Sequence, residues 1–101
     1  MAPDDDTAPL LRRCLAGEEA AYRELVARYQ RAVYTVAIRM VRSAEDAEDL
    51  TQETFVRVFK ALDRYDPTRP FQAWLFTITS RLCIDHIRRR RMKMVPLVRT
   101  L

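Results

Sequence analysis

Arg88, Arg89, Arg90 and Arg91 stand side by side, with Lys93 just beyond, and form the densest block of one charge in the sequence. Guanidinium groups are permanently charged, planar donors that match phosphate oxygens, so four of them circling one helix suit binding to a phosphate backbone. Upstream, Arg64, Tyr65 and Arg69 fall in a segment broken by Pro67 and Pro70, and Phe71 follows. Cations beside planar rings in a loop can hold a single nucleic-acid strand. Phosphates pair with arginine, and an unstacked base rests on an aromatic face, a contact worth ~1 to 3 kcal/mol. Tyr65 is the ring expected to face outward in that loop, whereas Trp74 lies on an apolar stripe and belongs with the core.

A second constellation has no single dominant charge. Gln52, Glu53, Val56 and Lys60 follow Asp49 at spacings of 3, 4, 7 and 11 residues, with Phe59 at the edge of the same helical side. An outward valine ringed by polar groups, beside an aromatic, is what a helix-docking surface requires: an apolar centre to desolvate and a hydrogen-bonding rim to fix register. An ordinary solvated face with one stray valine has the same composition. Cys83 and His86 have C-x-x-H spacing, but a tetrahedral zinc site needs a second pair of ligands, and His86 is the only histidine. No metal and no cofactor are expected. Scattered carboxylates, one histidine and no glycine-rich phosphate loop supply no catalytic constellation, so an enzyme is not expected.

The elements that carry these residues read as helices throughout. Asp6 or Thr7 can cap a short first helix that Gly17 stops. From about residue 18 to 41, Tyr22, Leu25, Val26, Tyr29, Val33, Val36, Ala37 and Met40 recur at helical spacing, with arginines interleaved. Ser43 then offers an N-cap hydroxyl ahead of Glu45 and Asp46, and a third helix runs to about Leu62 with Ala47, Leu50, Thr54, Phe55 and Val58 on its core side. Pro67 and Pro70 forbid helix between, and a fourth helix follows from Pro70 to about Arg91. Its apolar residues fall on two nearly opposite sides. Phe71, Trp74, Leu75, Ile78 and Leu82 form one, and Ala73, Phe76, Ile84 and Ile87 form the other. That predicts packing on both sides, with two narrow polar strips between: Thr77, Arg81 and Arg88 on one edge, continuing into Arg89, Arg90 and Arg91, and Gln72, Thr79 and His86 on the other.

The fold class expected is therefore all-α, a compact bundle of about four helices, one short and N-terminal and three longer. At 101 residues there is room for one core that needs neither disulfide nor metal. Residues 1–6 read as a disordered lead-in, 7–91 as the helical domain, and 92–101, with Pro96, as the start of a linker cut short. Charge is polarised along the chain: residues 1–66 hold 10 basic and 13 acidic side chains, residues 67–101 hold 8 basic and one acidic. A basic end of this kind points to an anionic partner. Nucleic acid is preferred over membrane, because no segment approaches ~18 uncharged apolar residues. Two isolated cysteines and the absence of a signal-peptide pattern point to the cytoplasm.

Four blocks in order complete the reading. They are Asp46-Ala47-Glu48-Asp49-Leu50-Thr51-Gln52-Glu53-Thr54-Phe55, Phe59-Lys60-Ala61-Leu62-Asp63, Phe71-Gln72-Ala73-Trp74-Leu75-Phe76-Thr77-Ile78 and Ile84-Asp85-His86-Ile87-Arg88-Arg89-Arg90. Together they resemble region 2 of extracytoplasmic-function sigma factors of bacterial RNA polymerase, over about residues 10 to 93. The resemblance implies a helical domain that docks on the clamp helices of the polymerase's largest subunit through Asp49, Gln52 and Glu53. It also implies capture of the non-template strand of the minus-ten promoter element by the loop before the fourth helix and by Thr77, Ser80 and Arg81. Many members read Arg-Ile-Ala-Arg-Asn where this chain reads Thr77-Ile78-Thr79-Ser80-Arg81, so a guanidinium stands in place of the Asn often credited with base contact. Such factors also carry a second, helix-turn-helix domain, and this chain ends before one.

The expected polymerase-binding residues are Asp49, Gln52, Glu53, Val56, Phe59 and Lys60. The expected DNA-binding residues are Arg64, Tyr65, Arg69, Gln72, Thr77, Ser80, Arg81, Arg88, Arg89, Arg90 and Arg91. Two other functions fit the same residues: a helical interaction module whose main partner is an anti-sigma factor, and a bundle that binds nucleic acid of any sequence through its arginine run.

Overall fold

In the computed structural model, which describes residues 7–100 and side chains as far as residue 93, four helices follow one another. They are α1 (Thr7–Leu15), α2 (Glu19–Val41), α3 (Ala44–Ala61) and α4 (Phe71–Thr100), with a 3-10 turn at Leu62–Arg64. The expected lead-in at 1–6 lies outside the described residues. The all-α fold of one short and three longer helices is as the sequence predicts. α4 extends beyond the expected end at Arg91, where Met92 and Lys93 are good helix formers, and runs on through Pro96 to Thr100.

Local chemistry sets each corner. Gly17 adopts a φ of 88°, donates to Cys14 O at 2.9 Å, and leaves Glu18 N–H to reach Arg13 O at 3.1 Å. This pair of bonds is the Schellman closure of a helix, and its left-handed residue is easiest for glycine. The next corner performs the same task with a different residue. Arg42 ends α2 at φ 57°, ψ 28°, its N–H bonded to Ile38 O at 2.9 Å. Ser43 follows as the cap of α3, its Oγ accepting from Asp46 N–H at 3.2 Å.

α2 is the central support, packing against each of the other three helices, and α3 and α4 also pack against one another. The larger part of the core joins Leu10, Leu11 and Cys14 of α1 to Leu25, Tyr29 and Val33 of α2, Phe55 and Val58 of α3, and Phe71 and Leu75 of α4. Each such large side chain, once fully buried, contributes about 1.5 to 3 kcal/mol. A smaller part, toward the α2–α3 corner, joins Ala37, Ala47, Leu50, Leu82 and Cys83. The buried Thr7 hydroxyl is matched by Tyr29 OH at 2.7 Å, which ties α1 to α2 without leaving a polar atom unsatisfied.

Several side chains of α4 depart from expectation. Thr79, expected on a polar strip, is buried, and its hydroxyl donates to Leu75 O at 3.1 Å. Contact with both α2 and α3 covers more of the helix than one apolar stripe requires, and bonding to the preceding turn satisfies the hydroxyl there. Ile84, expected on a second packed side, is 40% exposed and Ala73 is exposed, while Phe76 and Ile87 are half-buried. Phe76 packs against the core, and the part of that arc left open is the one that carries Ala73 and Ile84.

A non-glycine residue in the left-handed conformation costs about 1 kcal/mol or more. Relief of that strain outweighs the entropy that a glycine adds to the unfolded chain, so Arg42→Gly should stabilise the fold by about 0.5 kcal/mol, raising the thermal midpoint by roughly 2 to 4 °C for a domain of this size. Thermal denaturation followed by circular dichroism measures it, and an unchanged or lower midpoint would contradict a strained corner.

Candidate functional site

α3 presents two opposed sides because its apolar residues fall on one helical arc only. Ala47, Leu50, Thr54, Phe55 and Val58 are buried. On the other side Asp49, Gln52, Glu53 and Lys60 are exposed, Val56 is 41% exposed, and Glu53 pairs with Arg57 at 3.3 Å. Phe59 serves both sides. Half-buried, it meets the Tyr22 ring edge-on at 4.5 Å and lies 6.5 Å from Phe55. The six residues expected for docking thus share one surface with an apolar centre and a polar rim.

That surface is wider than the sequence suggested, because α2 contributes to it. One groove of about 350 Å³ is lined by Tyr22, Val26, Gln30 and Phe59. A second, of about 360 Å³, is lined by Gln30, Arg31, Tyr34, Glu48, Thr51 and Gln52. Gln30 belongs to both, so the two run on from each other along the α2–α3 seam. The i, i+4 spacing of Gln30 and Tyr34 was the available signal, but periodicity alone does not tell which helix lies alongside.

The loop before α4 closes on itself. Asp66 Oδ1 accepts from Thr68 N–H at 2.9 Å and from its hydroxyl at 2.7 Å, and Arg69 N–H donates to Asp66 O at 3.0 Å across Pro67. This is a β-turn reinforced by an aspartate side chain, with proline supplying the fixed φ. The Thr68 hydroxyl and, next, its N–H hold the Asp66 carboxyl below its ordinary pKa. Tyr65 does not stand outward as expected. Its hydroxyl donates to Arg69 O, and its half-buried ring lies 5.6 Å from Phe71 and 5.1 Å from Trp74. Trp74, expected in the core, is also only half-buried. Together the two rings form a ledge at the border of the core, because each finds apolar cover on one side only. A cleft of about 760 Å³ opens between this loop and α1, lined among others by Thr7, Arg12, Leu15, Tyr65 and Arg69.

Along α4, Thr77, Arg81, Arg88, Arg89, Arg90 and Arg91 are exposed, Gln72 and Ser80 are half-buried, and Arg64 and Arg69 are exposed beside the loop. Thr77 donates to Ala73 O at 2.8 Å, leaving its oxygen able to accept. Arg81, Arg88, Arg89 and Arg91 form no ion pair among the described residues, whereas Arg90 bonds Asp46 at 2.9 Å. Cys83 is buried and His86 bonds the same Asp46 oxygen at 3.1 Å, so the two do not converge on a common site. Burial pushes the Cys14 and Cys83 thiols up from their ordinary pKa.

Comparison with known proteins agrees with this arrangement. The sigma-70 region 2 family matches residues 25–92, and the chain belongs to that family. Within it, the chain is a region 2 domain of the extracytoplasmic-function type. The sigma factor SigE of Mycolicibacterium smegmatis, an extracytoplasmic-function RNA polymerase sigma factor, is 44% identical over 95% of this chain and 39% of its own length. An engineered region 2 of sigmaE, solved in complex with GTAAAA, superposes with a TM-score of 0.81 at 30% identity, over 93% of this chain and 98% of that one. CnrH, solved with the cytosolic domain of CnrY, superposes with a TM-score of 0.71 at 38% identity, over 89% of this chain and 58% of that one. The chain thus spans well under half the length of SigE. No described helix is long and apolar enough to cross a membrane.

The loop carries a pH dependence of definite sign. A depressed carboxyl pKa means that the Asp66–Thr68 turn is fully formed above the ordinary Asp value of 3.8 and is lost as pH falls through the lower folded value. In an NMR titration the Thr68 amide should shift with a midpoint below 3.8. A midpoint at or above that value would show that the turn does not form.

Proposed function

We propose that this domain docks on the clamp helices of RNA polymerase's largest subunit and binds the non-template strand of the minus-ten promoter element, favouring melting at transcription initiation. The observation that carries the reading is the exposed arc of α4, which starts beside the 65–71 loop and its aromatic ledge: it carries Thr77 and then Arg81, Arg88 and Arg91, three arginines that form no ion pair among the described residues. The solved complex of a relative's region 2 with GTAAAA supports it. Docking falls to Asp49, Gln52, Glu53, Val56, Phe59 and Lys60, with the α2–α3 seam beside them. Strand binding falls to Arg64, Tyr65, Arg69, Gln72, Thr77, Ser80 and Arg81, and to Arg88, Arg89 and Arg91, whereas Arg90, expected among them, bonds Asp46.

The role is stoichiometric, with no bond made or broken. A protein that binds the unpaired strand better than the duplex shifts the equilibrium toward the open state by that difference in affinity. Arg81 supplies charge and bidentate donors where an amide is common in the family, so the base it addresses is one that offers acceptors. Residues 7–91 are the working domain, 92–101 lead into a linker, and the site of action is the cytoplasm, where polymerase and promoter meet.

A second reading concerns the same α3 side. CnrH is solved with the cytosolic domain of CnrY, and an anti-sigma partner on this chain would compete with polymerase for the α2–α3 surface.

Asp49→Ala combined with Gln52→Ala should abolish pull-down of core polymerase and leave the helical circular dichroism intact, and retained pull-down would remove the docking assignment. Binding of a single-stranded oligonucleotide containing GTAAAA should weaken with salt, with a logarithmic slope of about −0.7 per phosphate neutralised. An affinity independent of salt would exclude the arginines as phosphate ligands. Equal affinity for duplex and for strands of any sequence would favour the general nucleic-acid-binding function instead.

A further inference from the structure

A rotation of about 100 degrees per residue sends the four consecutive arginines to different sides of α4. Arg88 and Arg91 fall in line with Thr77, Arg81 and Ile84 on the exposed arc. Arg90 falls on the side of Cys83 and His86, which faces α3. There Arg90 Nη1 donates to Asp46 Oδ2 at 2.9 Å, and His86 Nε2 lies 3.1 Å from the same oxygen. The contact joins residues 44 apart in sequence and links the first turn of α3 to the basic end of α4. Asp46 stands where a capping-box carboxylate would turn back to the cap residue's own N–H. The Ser43 half of that motif is present, and the carboxylate reaches across to α4 instead.

We propose that Asp46 is a positioning residue that withholds Arg90 from the strand and uses it to clasp α4 to α3, leaving the outward arginines to take the phosphates. This rests on the strand-binding reading above. The asymmetry of exposure supports it: the Asp46 side chain is 25% exposed and Arg90 62%. A phosphate could reach Arg90, but only by competing with a carboxylate that is itself half-buried and shared with His86. Arg88 and Arg91 have no carboxylate partner among the described residues to compete with it. Asp46 thus sets how many phosphates the helix neutralises, and with them the salt dependence of binding.

The test measures the affinity of the chain for a fluorescent single-stranded GTAAAA oligonucleotide between about 50 and 200 mM salt. Arg88→Gln should flatten the logarithmic slope by about 0.7, the share of one phosphate contact, while Arg90→Gln should leave it unchanged. Asp46→Asn frees Arg90. It should steepen the slope by about 0.7, so that its advantage over the parent grows about 2.6-fold from the highest salt to the lowest. In the double variant Asp46→Asn, Arg90→Gln this gain should vanish. If Arg90→Gln flattens the slope as much as Arg88→Gln, or if the gain survives without Arg90, the clasp is overturned and strand binding stands. If the parent does not bind the oligonucleotide even at the lowest salt, both readings fall. Thermal midpoints provide a check independent of DNA: the two single substitutions should be non-additive, and additive shifts would also overturn the clasp.

Discussion

Phe71 is where the loop, the bundle and the fourth helix meet. It is fully buried at the first turn of α4, with its ring 5.3 Å from Tyr29, 5.6 Å from Tyr65 and 5.8 Å from Trp74. Pro70 ends the irregular segment one residue earlier, so the side chain that starts the helix also fixes the loop to the core. The position of the ledge depends on this anchor, since neither Tyr65 nor Trp74 is buried deeply enough to hold its own place. Tyr29 carries the constraint onward through its hydroxyl to Thr7, so even α1 is set in register by the same aromatic group. A binding surface built on a rigid aromatic contact loses little conformational entropy when a partner arrives.

Competition for helix circumference governs the rest. α3 gives one side to the core and keeps the other polar, with an outward Val56 and a half-buried Phe59 as its apolar centre. α4 is more heavily subscribed. It meets both α2 and α3, which draws Thr79 inward, and its remaining arc is left uncovered, which exposes Ile84 among arginines. That mixture of an aliphatic side chain and permanent cations suits a partner with apolar base faces and charged phosphates.

Features that depend on a few neighbouring residues were legible in the sequence. Gly17 as a stop, Ser43 as a cap, the prolines as a loop and the core side of α3 all follow from local sterics, hydrogen bonding and periodicity, and the structure has each of them. The exposure of Thr79, Ile84 and Tyr65 was not legible, because each depends on which helix lies alongside or on how a loop folds back. The α2 contribution to the proposed docking surface was hidden for the same reason. The bond from Arg90 to Asp46 was further out of reach. In sequence the four arginines look equivalent, and only the packing of α4 on α3 makes one of them different.

The two cysteines allow another use of the fold. Cys14 lies in the larger part of the core and Cys83 in the smaller, and burial makes both thiols poor acids, hence poorly reactive while the domain is closed. Each thiol is therefore a natural clock for the opening of its own half. The rate at which a small alkylating reagent consumes one or the other would resolve whether the α1 end and the basic end of the molecule breathe together or separately.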